Sequence, residues 1–392
     1  MRARAFSACV NGDIMKKKLL CIGCISLAII ALTSFASCGL YEYPNKQENS
    51  SSTGGFTPEV PQDGQVNIII TDPSLYNEYI TESLPQVISR VKSSVVGIKV
   101  NVGQEVVIGT GTVIANSDNG LYTYIATSHS LLEGATSVVV QNFARGDEFN
   151  ATPVGTDPVT DICIIRINAN LTPATFYTDT SSVMAGQEVF ALANAMGQQT
   201  VIVNDGIISA AGYKLDVGEG NVNEIFLTNL NLRSTSFGGG LFAKTGGFLL
   251  GMVCASEENS SHSYVIPADT LRNISAKIIE KGYVEGRYKL GVTVKDNKSG
   301  WGITESVSVS ALEQDGSIYA NGLGLEVDDI ILSIVYGGTT YTIQRAEAFY
   351  SYLYSFDFKI GDVVTFNVER KGARSQISVE IKQYNYFNFE KE

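Results

Sequence analysis

Val95–Ser130 reads VVGIKVNVGQEVVIGTGTVIANSDNGLYTYIATSHS. Three apolar, β-branched runs (VVGIKV, EVVIGTGTVIA and LYTYIAT) are separated by brief turn signals, and no stretch with helical spacing intervenes. The pattern continues outward to about Val265 through TSVVVQNF, DICIIRI, EVFALAN, TVIVNDGIIS, EIFLTNL, GGFLLGMVC and HSYVIP. Short strands at close, regular intervals predict an all-β sandwich or barrel. Upstream, Leu75, Ile80, Leu84, Val87, Ile88 and Val91 give Ser74–Val91 helical spacing. Downstream, IPADTLRNISAKIIEKGYVEG predicts an amphipathic helix, with Asp269 or Thr270 as its N-cap and an end near Gly282.

A second module runs from Tyr288 to about Gln383, with strands at KLGVTV, DDIILSIVYGG, TTYTI, VVTFNVER and QISVEIKQY and a helix within QRAEAFYSYLYSF. The chain of 392 residues therefore divides into two folded units, 74–283 and 285–386. The fold class is all-β dominated, with a double barrel followed by a small β-module carrying one or two helices.

The charge balance is acidic: 28 Lys and Arg against 40 Asp and Glu leave −12. This excludes a nucleic-acid binder and a polybasic membrane-surface binder. Only two histidines occur, His129 and His262. No His-rich metal site can form from two, no cofactor is expected, and any mechanism that needs an imidazole must use one of them.

Residues 1–37 read as targeting sequence. From Met15, the expected true start, MKKKLLCIGCISLAIIALTSFASC has three lysines, an apolar run and then small residues. This is the pattern of a secretory signal rather than of a membrane-spanning helix. Its end resembles a bacterial lipobox, which implies acylation of Cys38 and an extracytoplasmic, membrane-anchored protein. Residues 38–73, rich in Ser, Gly, Pro, Asn and Gln, then form a flexible tether. Processing at Cys38 sharpens the charge to −16. Besides Cys38, only Cys163 and Cys254 then remain, each inside an apolar run. Buried thiols are the preferred reading, and the oxidising compartment leaves a disulfide open.

The order of landmarks across 85–272 resembles the HtrA/Deg family of trypsin-fold serine proteases. GTGTVIA, YIATSHSLLEGA, TDICIIRI, GQEVFALANAMG, GIISA, FLTNLNLRSTSFGGGL and VIPADTL follow one another as the family's motifs do. The resemblance implies a Ser–His–Asp mechanism, in which histidine takes the serine proton, aspartate orients the histidine and backbone amides hold the oxyanion. Asp161 matches the aspartate. Counting back from EGA places Ser130 at the histidine position, with His129 one residue early. Counting back from GGGL places Phe237 at the nucleophile position, with Ser236 one residue early. Thr235 stands where the family has the glycine that lets the oxyanion turn form.

Two readings follow. Either peptidase activity is lost, or displaced His129, Asp161 and Ser236 still form a triad. No catalytic role falls on His262.

The second module resembles a PDZ domain. YKLGVTV looks like the carboxylate-binding loop and its strand, and FKIGDVVTFNVERKG like the late segment. SIYANGLGLEVDDIILSIVYGG matches the middle of that family, except that Asp328 replaces a glycine before Asp329. The implied ligand is a polypeptide C-terminus, added as a strand beside Gly291–Val294, with its carboxylate near Leu290 and Gly291 and with Val292 also in the peptide site. The family resemblance also brings in a homotrimer as an oligomeric form to consider.

Overall fold

The computed structural model describes residues 66–68, 82–194, 200–218, 221–256 and 262–384. The targeting segment, Cys38, nearly all of the tether and residues 74–81 lie outside that set.

Helix α1 covers Leu84–Val91, the later part of the expected helical stretch. Ser83 and Gln86 form a capping box at its start, with the Ser83 amide donating to Gln86 Oε1 at 2.8 Å. It ends as the β-branched run begins. Val87 and Val91 are buried against Gly247, where a Cβ would come within 2.7 Å of Val87.

Nine strands form the first half of the described residues. They are β1 (Val66–Asn67), β2 (Val95–Val102), β3 (Glu105–Ser117), β4 (Thr123–Ser128), β5 (Ser137–Gln141), β6 (Glu148–Asn150), β7 (Thr152–Asp157), β8 (Ile162–Ile167) and β9 (Glu188–Asn194). Six match the expected runs, while β1, within the expected tether, and β6 and β7 fall outside them. Between β4 and β5 lies the four-residue helix α2, His129–Leu132. The first sheet has the order β6-β5-β2-β3-β4-β8-β7, with β1 added beside β3.

Five more strands complete the first unit: β10 (Val201–Gly218), β11 (Asn221–Thr228), β12 (Gly240–Ala243), β13 (Leu249–Ser256) and β14 (Ser263–Pro267). With β9 they close a barrel in the order β10-β11-β14-β13-β12-β9. The trypsin-like fold thus consists of one curled eight-stranded sheet and one closed barrel.

Strand alternation divides the core. In β4 and β8, Tyr124, Ala126, Ile162 and Ile164 face the core shared with the second barrel, while Ile125, Cys163 and Ile165 face the interior of the first sheet. Successive side chains point to opposite faces, so one pair of strands supplies both cores. Cys254 lies in the shared core and Cys163 in the other, and both are free thiols.

Helix α3, Ala268–Lys281, buries Leu271, Ile274, Ser275, Ile278 and Ile279, one stripe at three- and four-residue spacing. Its N-cap is Pro267, not Asp269 or Thr270. Asp269 lies inside the first turn, where its carboxylate accepts the Thr180 amide and hydroxyl and pairs with Arg272. The helix ends on Gly282 at φ 84°, the left-handed conformation that glycine adopts without strain.

The C-terminal module has its own core, which includes Leu290, Val309, Ile334, Phe349, Leu353 and Phe366. Its strands are β15 (Val292–Lys298), β16 (Thr304–Leu312), β17 (Ile330–Tyr336), β18 (Thr339–Thr342), β19 (Val363–Arg370) and β20 (Ala373–Glu380), with helix α4 at Ala346–Ser355. The sheet order is β15-β16-β17-β19-β20, with β18 beside β17. Asp328 has φ 72°, so it keeps the left-handed turn that a glycine would make there. Neighbouring Asp329 is buried and accepts Arg370 Nε and Nη2, both at 2.7 Å.

Candidate active site

Ser128 closes β4, and His129 and Ser130 open α2. Asp161 ends the turn between β7 and β8, at φ 57°, and its residue is buried. The pairing of β4 with β8 brings the two segments together, and the His129 amide donates to the Asp161 carbonyl at 2.9 Å.

The side chains distribute differently from a catalytic triad. Asp161 Oδ1 accepts the Ser130 amide at 2.8 Å, and Oδ2 accepts the Ser128 hydroxyl in a short hydrogen bond. Ser128 and Ser130 hydroxyls lie 2.8 Å apart. His129 Nδ1 instead meets the Thr156 hydroxyl at 2.9 Å. Among the described residues, neither Asp161 nor Ser236 hydrogen-bonds the His129 imidazole.

The charges follow from this packing. Burial pushes the Asp161 carboxyl up to about 6, against the opposite pull of the Ser128 hydroxyl and the Ser130 amide. Burial, aided by the positive charge of Lys289, pushes the His129 imidazole down to about 4. An imidazole so weakly basic is a poor proton acceptor near neutral pH, where a general base works best with a matched pKa.

The turn expected to carry the nucleophile is a single 3₁₀ turn, Ser234–Ser236, followed by Phe237. Phe237 is 3 % exposed and belongs to the shared core. Ser236 is buried, and its hydroxyl makes no hydrogen bond among the described residues.

The amides that could face an oxyanion are spent within the fold. The Phe237 amide donates to the Ser234 carbonyl at 3.1 Å, the Gly238 amide to Val253 at 2.8 Å, and the Gly239 amide to Ser236 at 2.9 Å. Thr235 keeps an ordinary backbone, since positive φ among described non-glycine residues occurs only at Asp161, Ala320, Asp328 and Lys371. Its carbonyl accepts the Thr110 hydroxyl at 2.6 Å, and that same hydroxyl oxygen accepts the Asn194 amide at 2.9 Å. Gly238, at φ 86°, sits so tightly under Thr110 that a Cβ would come within 2.1 Å of its carbonyl oxygen.

Thr110, Thr156 and Ser128 were not among the sequence candidates. Thr110 lies in the GTG landmark, where it reads as part of a strand, and nothing in local spacing marks Thr156 as a histidine partner.

His262, half-buried, sits just before β14. No group of three or more His, Cys, Asp or Glu side chains gathers for a metal ion among the described residues.

In the C-terminal module, Leu290 is buried in the core and its carbonyl accepts the Ile318 amide at 3.2 Å. Gly291 has φ 66°, its Cβ position is closed by Gly316 at 2.7 Å, and its carbonyl accepts the Glu313 amide. Val292, half-buried, begins β15. These three residues therefore form one fixed bend leading into an edge strand. At the far end of that strand, a cavity of about 750 Å³ is lined by Asp296, Lys298, Ile303, Ile343, Arg345 and Glu347, among others.

Residues 109–252 match the family of trypsin-like peptidase domains. The serine protease Do-like HtrB of Bacillus subtilis is 24% identical over 370 residues, 86% of this chain and 77% of the relative. The serine protease Do-like HtrA of Lactobacillus helveticus is 26% identical over 70% of this chain and 68% of its own. The periplasmic serine endoprotease DegP of Escherichia coli is 25% identical over 70% of this chain and 57% of its own. A solved structure of the HtrA-type protease AlgW with tripeptide aligns with 77% of this chain and 97% of its own, at 25% identity and a TM-score of 0.47. Residues 109–252 thus match a trypsin-like peptidase domain, and over most of its length the chain is similar to HtrA-type serine proteases.

Proposed function

We propose that this protein is an extracytoplasmic, polypeptide-binding HtrA-type protein without peptidase activity, anchored through lipid on Cys38. The observation that carries this reading is the occupancy of Asp161. Its carboxylate accepts the Ser130 amide and the Ser128 hydroxyl, and His129 Nδ1 meets the Thr156 hydroxyl in place of the aspartate that a Ser–His–Asp mechanism requires. Two further features support it. Phe237 fills core space at the nucleophile turn, and the turn's amides bond internally. Losing the serine or histidine of such a triad costs about 10⁶-fold in turnover. Polypeptides would instead be held by the C-terminal module, which we read as a PDZ domain. There the bend at Leu290–Val292 would meet the carboxylate and β15 would accept a strand.

The test is active-site labelling of the purified mature chain with a fluorophosphonate. We expect no labelling and no peptide-bond cleavage of an unfolded protein substrate. Labelling that disappears in Ser236→Ala would overturn this reading in favour of a displaced His129–Asp161–Ser236 triad.

A further inference from the structure

We propose that Tyr350 is a built-in competitor for the polypeptide site of the C-terminal module, its phenol oxygen standing where the backbone carbonyl of an incoming strand would bind. The proposal rests on the peptide-binding reading above and adds the residue that sets the affinity.

Strand β15 ends the sheet, with β16 on one side and α4 on the other. In an antiparallel strand the N–H and C=O of one residue point to the same side, and the side alternates along the chain. The Val294 amide donates to Tyr350 Oη at 2.9 Å, so Val294 faces α4. Val292 and Asp296, two residues to either side, share that orientation. This is the edge a ligand strand would extend, and Tyr350 already holds its central donor.

The phenol is held in place. Its ring stacks on Tyr354 with centroids 5.7 Å apart and meets Phe349 edge-on at 5.5 Å. The start of α4 is strapped to the same strand, because Asp296 Oδ1 accepts the Ala346 amide at 2.7 Å. A ligand must therefore displace one protein hydrogen bond before making its own. Main-chain bonds supply much of the affinity of strand addition, so that exchange weakens binding.

Tyr350→Phe keeps the ring and its stacking and removes only the oxygen. Random C-terminal heptapeptides, each made with a free carboxylate and as its amide, are screened against the full mature chain carrying this change. Each binder's Kd is then measured on both variant and wild type. One net hydrogen bond predicts about two- to tenfold tighter binding to Tyr350→Phe. Hydrogen exchange of the Val294 amide should also speed up in the variant. Carboxylate-dependent binding of equal or greater strength to wild type overturns this proposal and leaves the groove reading standing. Binding by neither protein overturns both.

Discussion

Asp161 holds Ser130, not the imidazole of His129: its carboxylate accepts the Ser130 amide at 2.8 Å, while His129 Nδ1 lies 2.9 Å from Thr156. The two ionisable groups sit side by side on adjoining turns without sharing a proton. Each is pressed toward its neutral form by burial, and this has opposite consequences for stability.

The carboxyl of Asp161, raised to about 6, binds a proton more readily in the native state than in the unfolded chain. Its burial therefore weakens the fold as pH rises from about 4 to about 6 and leaves a penalty of about 3 kcal/mol above that window. The imidazole of His129, lowered to about 4, binds a proton less readily when folded. Its contribution is full above about 6.5 and is lost as pH falls toward 4. The slopes oppose one another, and wild type should be nearly flat across the interval. Asp161→Asn should uncover stability that rises with pH from 4 to 6.5, and His129→Gln stability that falls with pH from 4 to 6. Urea denaturation at half-unit steps reads both. Parallel profiles for the two variants would contradict the arrangement described here.

Phe237 is a core residue at the position that counting back from GGGL gives to the nucleophile. Replacing it with serine removes a side chain that is 3 % exposed and leaves a cavity in the shared core. We expect a loss of about 3–5 kcal/mol, measured by chemical denaturation. The Thr110 hydroxyl, itself held by the Asn194 amide, would still donate to the Thr235 carbonyl, so no fluorophosphonate labelling should appear. A Phe237→Ser protein as stable as wild type would show that the turn keeps an open nucleophile position.

The strands from Val95 to Thr127 are legible because burial on two faces demands near-continuous β-branched runs, which no turn-forming segment imitates. β16 escaped notice. Its alternation rests on Val307 and Val309 among serines and threonines, and Ser308 is buried without being apolar. At the site, motif counting names Ser130, Phe237 and Thr235 as departures from the family pattern. It does not show where the stranded groups turn. The hydroxyls that take them up, Ser128, Thr156 and Thr110, come from other strands, and their hydrogen bonds depend on three-dimensional register rather than on sequence spacing.

Cys163 and Cys254 lie in different cores, which excludes a bridge between them without rearranging the fold. Burial pushes the Cys163 thiol up to about 12 and raises that of Cys254 as well. The thiolate is the reactive form, so both should resist Ellman's reagent at pH 8 in the native state. Two thiols of the described region should then react together on addition of guanidinium. Rapid reaction of either in the folded protein would indicate local opening of its sheet.

Arg287, in the segment between α3 and β15, reaches back to the turn that carries Asp161. Its Nε and Nη2 donate to the Asp157 carboxylate at 3.0 and 2.9 Å, and Thr160 adds a hydroxyl at 2.8 Å. The Asp157 side chain is 0 % exposed, so this pair differs in kind from Arg90–Glu82, whose partners are 37 % and 28 % exposed. Removing one partner of a buried pair strands the other charge without water and typically costs 3–5 kcal/mol, on the order of several times a surface pair. Arg287→Ala should therefore destabilise the protein by about that amount, while Arg90→Ala changes it by about 1 kcal/mol or less. Adding Asp157→Asn to Arg287→Ala should recover part of the loss, because an amide tolerates the site better than an unpaired carboxylate. Denaturation of the three variants at pH 7 gives the comparison. If Arg287→Ala behaves like Arg90→Ala, the carboxylate has found water or another donor, and the link between the two modules does not depend on this arginine.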